Sequence, residues 1–271
     1  MKGCVYMLGA MIGDVVGSRF EWDNIKTKEF DLFTDDCFVT DDSVMTFAIA
    51  KAIMESDSNF ENLSAKAIEY MQKLGRKYPY CGYGGNFAGW LLSSNPKPYN
   101  SWGNGAAMRV SSVAYAGNTI EEVIELSKKV TEVTHNHPEG IKGAEATAVT
   151  IYMARTGKSI QEIKDYINEH YYKIDFKLDD IRDDYKFDVS CQGTVPQALV
   201  AFFESVDFED AVRNAISLGG DSDTLAAIAG SIASAYYGIP NDIREKAIEY
   251  LDKYLSEILF EFEDKYIKEG K

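Results

Sequence analysis

Two short runs concentrate the residues best suited to chemistry. Thr40-Asp41-Asp42-Ser43 precedes one apolar run, and Gly219-Gly220-Asp221-Ser222-Asp223-Thr224 opens another. Each sits where a helix is predicted to begin, so its carboxylates meet free backbone N–H groups and the positive end of the helix dipole. Capping accounts for one acceptor at each end. It does not account for two carboxylates and a hydroxyl in each run. The helix after the second run is apolar on every face, which predicts burial and places its acids near the interior. Buried carboxylates need a partner, yet no Lys or Arg lies between Lys28 and Lys51 or between Arg213 and Arg244. A bound cation satisfies all three observations.

Ligand hardness narrows the choice of cation. Asp and Thr oxygens suit Mg²⁺, Mn²⁺ or Ca²⁺, whereas zinc prefers nitrogen and sulfur. The chain has 3 histidines and no H-E-x-x-H pattern, which argues against a zinc hydrolase. Neither run fits the twelve-residue calcium loop of an EF-hand. Should the two runs meet in space, their Asp and Thr side chains could hold a pair of ions with positions open to water or substrate.

The elements that position these runs are helical. Period-two alternation is scarce, and the 3.6-residue period predicts helices from Val5 to Phe20, Ser43 to Glu55, Ser64 to Lys77, Ala106 to Ala116, Ile120 to Val133 and Ile141 to Arg155. Others are predicted from Ile160 to Glu169, Pro196 to Glu204, Phe208 to Ser217, Thr224 to Tyr237, and Asp242 to the C-terminus. Ser159 before Ile160 is a start signal, and Pro196 suits a first helical position. Tyr78 to Gly105 and Tyr171 to Gln192 resist a helical reading, and long loops of this kind are often functional. With no repeat and no dividing linker, one all-α domain over residues 1–271 is the simplest architecture.

Composition bounds the function classes. The chain has 271 residues, with 28 Lys+Arg against 43 Asp+Glu and a net charge of −15. That balance argues against nucleic acid as a partner, since phosphate binding leans on clustered cations. Asp14 interrupts the apolar N-terminal run, and Leu225 to Pro240 is too short to span a bilayer, so neither an export signal nor a membrane span is expected. Cys4, Cys37, Cys81 and Cys191 are widely spaced and read as reduced thiols. A cytoplasmic, monomeric protein is the expectation.

Five motifs occur in a telling order: Gly13-Asp14 with Gly17-Ser18-Arg19-Phe20-Glu21; Thr40-Asp41-Asp42-Ser43; Gly103-Asn104-Gly105-Ala106-Ala107-Met108-Arg109; Thr134-His135; and Gly219 to Thr224. Together they resemble the ADP-ribosylglycohydrolase family. The resemblance implies a compact orthogonal multi-helix bundle and two divalent cations, Mg²⁺ or Mn²⁺. It also implies hydrolysis of the bond joining ADP-ribose to a protein side chain, such as Arg or Ser, or to a small acceptor. Thr40, Asp41, Asp42 and Asp223 would hold one ion; Asp221, Asp223 and Thr224 would hold the other. Glu21 and Asp42 would be the catalytic carboxylates.

By the same resemblance Ser101, Trp102, Gly103, Asn104 and His135 contact substrate. A Gly-containing loop feeding a helix could offer N–H groups to a diphosphate, although Gly-Asn-Gly alone is simply a turn. His135 could equally be a favourable charge at a helix C-terminus. Arg109 is expected to tie down a carboxylate, and Tyr83 to Phe87 is a candidate for the pocket wall. Two rival functions stay open: a two-metal hydrolase of phosphate esters, and a non-catalytic ADP-ribose binder.

Overall fold

The computed structural model describes residues 7–267. In chain order its helices are α1 (Gly9–Gly17), α2 (Asp41–Met54), α3 (Leu63–Lys77), α4 (Gly85–Leu92), α5 (Gly105–Met108), α6 (Val113–Ala116), α7 (Ile120–Thr131) and α8 (Pro138–Arg155). There follow α9 (Ile160–His170), α10 (Leu178–Ile181), α11 (Cys191–Phe203), α12 (Phe208–Ile216), α13 (Ser222–Tyr237), α14 (Asn241–Ile248) and α15 (Lys253–Tyr266). A 3₁₀ turn, Ser18–Phe20, extends α1. Among the described residues there is no strand, only an isolated antiparallel bridge between Gly103 and Ser190. The fold is all-α.

The axis of the molecule is α13, buried from Ser222 through Ala235. A helix apolar on all sides has no face for water, so neighbours must enclose it. Helices α1, α8, α11 and α12 do so. The closest approach is α1, where Gly9, Gly13 and Gly17 lie on one stripe four residues apart. A Cβ on Gly13 would stand 1.9 Å from the Ala226 carbonyl oxygen, and one on Gly17 would stand 2.6 Å from Asp223 Cα. Side chains of any size would push α1 outward. This backbone-to-backbone packing carries Asp14 of α1 to the level where α13 begins.

Outer helices show the one-sided burial expected of amphipathic segments. In α3, for example, Leu63, Ala67, Tyr70, Met71 and Leu74 are buried while the opposite face is polar. Ser159 closes a capping box with Glu162 at the start of α9, in line with the sequence.

Several predicted boundaries are corrected. Ala106 to Ala116 is two short helices, because the serines at 111 and 112 interrupt the helical run. The helix predicted from Ile141 begins at Pro138, capped by His137, whose Nδ1 accepts from the Glu139 N–H at 3.1 Å. Helix α11 begins at Cys191 rather than Pro196; Ser190 caps it, and Pro196 sits inside. The C-terminal segment is two helices, the second capped by Asp252. Within the two segments that resisted a helical reading lie α4 and the single turn α10. Val5, Tyr6 and Cys4 fall outside the described residues; Cys37, Cys81 and Cys191 are free thiols. Among the described residues no helix is long and apolar enough to cross a membrane.

Candidate active site

The site is assembled around Asp14. This side chain is completely buried and acts as a cap from outside for the N-terminus of α2. Thr40 N–H and Ser43 N–H each donate to its Oδ2 at 3.1 Å, Thr40 Oγ1 donates to its Oδ1 at 2.6 Å, and the Ser43 hydroxyl donates as well. With α2's first N–H groups donated to the Cys81 carbonyl, Thr40 Oγ1 and Asp14, the Asp41 and Asp42 carboxylates are released from capping. Thr40 Oγ1 spends its proton on Asp14 and accepts from Asp42 N–H at 3.3 Å. One lone pair of that oxygen is left over.

The second acidic run meets the first. Thr224 Oγ1 donates to Asp42 Oδ2 at 3.2 Å, which places the N-termini of α2 and α13 together. Positive φ angles of 66° and 72° at Gly219 and Gly220 turn the chain sharply into α13, a conformation L side chains rarely adopt. Asp221 accepts from Asn104 Nδ2 at 2.6 Å, and Asp223 Oδ1 accepts from Thr224 N–H at 3.0 Å. Glu21, just past the 3₁₀ turn, brings a carboxylate oxygen within 4.8 Å of oxygens on Asp221 and Asp223. Asn24 ties the two loops: its Oδ1 accepts from Gly220 N–H at 2.7 Å and its Nδ2 donates to the Gly220 carbonyl at 2.9 Å. Nearby, Lys26 Nζ donates to the carbonyls of Arg182, Tyr185 and Leu218.

So many acids in one place raise one another's pKa. Burial is the largest cause in every case, with repulsion from neighbouring carboxylates adding to it for Glu21, Asp41, Asp42 and Asp223. Asp14 is pushed up to about 6 by burial, Glu21 to about 7 and Asp41 to about 8. Asp42 and Asp223 are raised well above the usual carboxylate range, and Asp221 is raised too. Asp42 Oδ1 is buried with no hydrogen-bond partner. Among the described residues none of these six carboxylates forms an ion pair with Lys, Arg or His. An orphaned buried oxygen amid uncompensated hard donors fits a divalent cation and fits a set of helix caps poorly.

The acids form one end of a cavity of about 400 Å³. Its walls include Glu21, Asp41, Asp42, Asp221, Asp223 and Thr224, together with Ser101, Gly103, Asn104 and His135. Gly82, Gly84, Gly85, Asn86 and Phe87 contribute a further wall, so part of the Tyr83–Phe87 loop does reach the cavity. Thr40 stands behind Asp41 and Asp42, buried against Asp14. Asn104, held by Thr194 and Asp221, fixes the 101–105 loop to the acid cluster. Ser101 Oγ accepts from Gly103 N–H at 3.1 Å.

Two expected contacts differ. Trp102 does not line the cavity; half exposed, its ring meets His137 edge-on at 5.3 Å. The Gly103–Ser190 bridge and the Asn104 N–H donated to the Val189 carbonyl draw residues 101–104 against the 187–190 segment. Among the described residues Arg109 ties down no carboxylate; its Nη2 donates to Thr134 Oγ1 at 2.7 Å and its guanidinium lies over the Phe87 ring.

Sequence reasoning assigned no role to Asp14, although a lone carboxylate in an apolar run is a visible signal of a buried acceptor. Trp22 and Phe187 also line the cavity, their rings stacked at 5.0 Å, as does Val189. Nothing local in the sequence marks them, because they meet only through the packing of two distant loops.

Convergent aspartates from two helix N-termini of an all-α scaffold thus face one cavity beside the Gly-containing 101–105 loop. The sequence profile of the ADP-ribosylglycohydrolase family matches residues 2–269, and the chain belongs to that family. It is 25% identical over 314 residues to the mouse (Mus musculus) ADP-ribosylhydrolase ARH3, covering 88% of this chain and 84% of that protein. It is 26% identical over 272 residues to the ADP-ribosylarginine hydrolase Tri1 of Pseudomonas putida, covering 86% and 70% respectively. A solved structure of an ADP-ribosylglycohydrolase-related protein complex superposes with a TM-score of 0.68 at 20% identity, covering 94% of this chain and 95% of that one. That likeness is one of fold.

Proposed function

We propose that this protein is a metal-dependent hydrolase that releases ADP-ribose from an ADP-ribosylated acceptor, a protein side chain or a small compound. The observation that carries the reading is the convergence of Asp41, Asp42, Asp221, Asp223 and Glu21 at the floor of a cavity walled by the 101–105 loop. Thr40, Asp41, Asp42 and Asp223 would hold one Mg²⁺ or Mn²⁺, and Asp221, Asp223 and Thr224 the other. Bound there, the ions supply Lewis acidity toward ribose oxygens and lower the pKa of water.

The chain's own residues do the rest. Asp14 holds the ligating segment of α2 in place, and Asn104 fixes Asp221 through its 2.6 Å bond. Hydrolysis breaks the bond from the anomeric carbon to the acceptor; water supplies the hydroxyl to that carbon and a proton to the departing acceptor. Glu21, whose carboxylate oxygen lies within 4.8 Å of oxygens on Asp221 and Asp223, is placed to take the proton from water and pass it on. Backbone N–H groups of the 101–105 loop are available to the diphosphate.

The test offers ADP-ribose linked to Arg, to Ser and to a nucleotide, each with Mg²⁺, Mn²⁺ or a chelator, and measures free ADP-ribose by chromatography. Release that depends on the metal supports the proposal. Phosphate released from a simple ester, with no ADP-ribose from any substrate, would replace it with a phosphoesterase.

A further inference from the structure

At the cavity wall, Arg109, Thr134 and His135 form a hydrogen-bonded chain that the proposed chemistry leaves unused. Arg109 is buried, is paired with no carboxylate among the described residues, and has an Nε without a partner. Its Nη2 donates to Thr134 Oγ1 at 2.7 Å. A guanidinium has no lone pair to offer, so the threonine oxygen must be the acceptor in that contact. The threonine proton then has two acceptors in reach: His135 Nδ1 at 2.7 Å and the Thr131 carbonyl at 3.4 Å. The shorter contact is an ordinary O–H···N bond, and the longer one is at the weak limit. The proton therefore points at Nδ1.

A neutral imidazole that accepts at Nδ1 carries its hydrogen on Nε2. Burial, reinforced by the Arg109 charge, holds His135 well below the usual histidine range, so the ring is neutral. Its Nε2 faces the 103–105 loop: a Cβ on Gly103 or on Gly105 would lie 3.5 Å from it. The ring itself lines the cavity.

We propose that Arg109 and Thr134 are positioning residues that lock His135 as the Nε2–H tautomer, so that the cavity presents an uncharged hydrogen-bond donor to an oxygen of the ADP-ribosyl group. The identity of that ligand rests on the function proposed above; the tautomer rests on the hydrogen-bond chain alone. An uncharged donor suits this place, because a second cation beside Arg109 would be repelled, whereas a bare Nε2 would turn a lone pair toward ligand oxygens.

The experiment combines ¹⁵N-imidazole spectra of the full chain with calorimetric titration of ADP-ribose in the presence of Mn²⁺. Only 3 histidines contribute signals, so a His135→Gln variant assigns the ring. The wild type should show a protonated Nε2 and an unprotonated Nδ1. Thr134→Val should mix the tautomers and weaken ADP-ribose binding about tenfold, about 1.4 kcal/mol, and Thr134→Ser should restore both readouts. A protonated Nδ1 in the wild type would overturn the proposal without a variant, which covers the case of a valine variant that does not fold. Unchanged spectra and affinity in a folded Thr134→Val protein would overturn the positioning role. A wild type with protonated Nε2 that binds no ADP-ribose would instead overturn the ligand reading, and with it the donor's assignment.

Discussion

Asp42 and Asp223 are buried acids without a cationic partner among the described residues, a conflict that the proposed metal would resolve and that substitution exposes. In a chelator, Asp223→Asn removes a buried acid that must either take up a proton or stand uncompensated on folding, so the variant should melt higher than the wild type. In Mn²⁺ the order should reverse, because the variant lacks a ligand. If these aspartates were ordinary caps, the asparagine variant would melt no higher than the wild type in chelator, and adding Mn²⁺ would not reorder the two. Glu21→Gln addresses the proton instead: turnover should fall about 100-fold or more while ADP-ribose binding changes little, as expected for loss of a general acid–base group. Full turnover in that variant, measured as released ADP-ribose, would remove Glu21 from the mechanism. Both acidic runs were visible in the sequence because their residue types carry the chemistry, whereas Glu21 stood out only through the family resemblance. Asp14 was visible as an interruption and as part of the first motif, with no role attached to it.

At the scale of elements, the α1–α13 contact decides whether the acids meet. Gly13→Ala would set a Cβ 1.9 Å from the Ala226 carbonyl, on backbone that cannot swing away. Destabilisation of at least about 3 kcal/mol is expected, at the upper end for overpacked sites, with Mn²⁺ binding weakened as α1 shifts. Gly89→Ala in α4 is the control: beyond its chain neighbours and the backbone of its own helix, no atom lies within 4 Å of its added Cβ, and helix propensity predicts a gain of about 0.5–1 kcal/mol. Denaturant melts of the two variants, read side by side, check the assignment. The loop that carries Glu21 depends on a smaller device. Asn24→Ala deletes both bonds to the Gly220 peptide, so stability should drop by about 1–2 kcal/mol, and kcat should fall more than affinity for ADP-ribose. Equal effects on kcat and affinity would mean that Asn24 does not set the Glu21–Asp221 spacing.

For the whole molecule, the acid cluster ties stability to pH, and the proposed metal centre would tie it to metal as well. Glu21, Asp14 and Asp41 have folded-state values of about 7, 6 and 8, all above the ordinary values of 4.5 and 3.8 that govern the unfolded chain. Below the ordinary values both states are protonated, and the groups contribute no difference. As pH rises, the unfolded chain loses these protons first, so the metal-free protein should lose stability steadily until pH passes the folded-state values. Bound cations remove that penalty. The metal-dependent rise in Tm should therefore grow between about pH 5 and about pH 8. At about 100 times Kd, a bound ion contributes about 2.7 kcal/mol, several degrees of Tm for a chain of this length. Scanning fluorimetry over pH with and without Mn²⁺ measures it. A metal increment that shrinks as pH rises would contradict a carboxylate-lined metal centre.

What the sequence by itself determined was whatever is written within a few residues: helical periods, caps such as Ser159, the doubled acids at two helix starts and the lack of nearby cations. Those features depend on local backbone geometry and on residue chemistry, so they survive without knowledge of the fold. The tertiary structure alone decided that Asp14 caps a helix 26 residues away, that Asn24 grips Gly220, and that Arg109 turns to Thr134. It also turned Trp102 to the outside and stacked Trp22 on Phe187. Each of these follows from how helices and loops distant in sequence pack against one another. Such placement is a property of the whole core and leaves no periodic trace in any single segment.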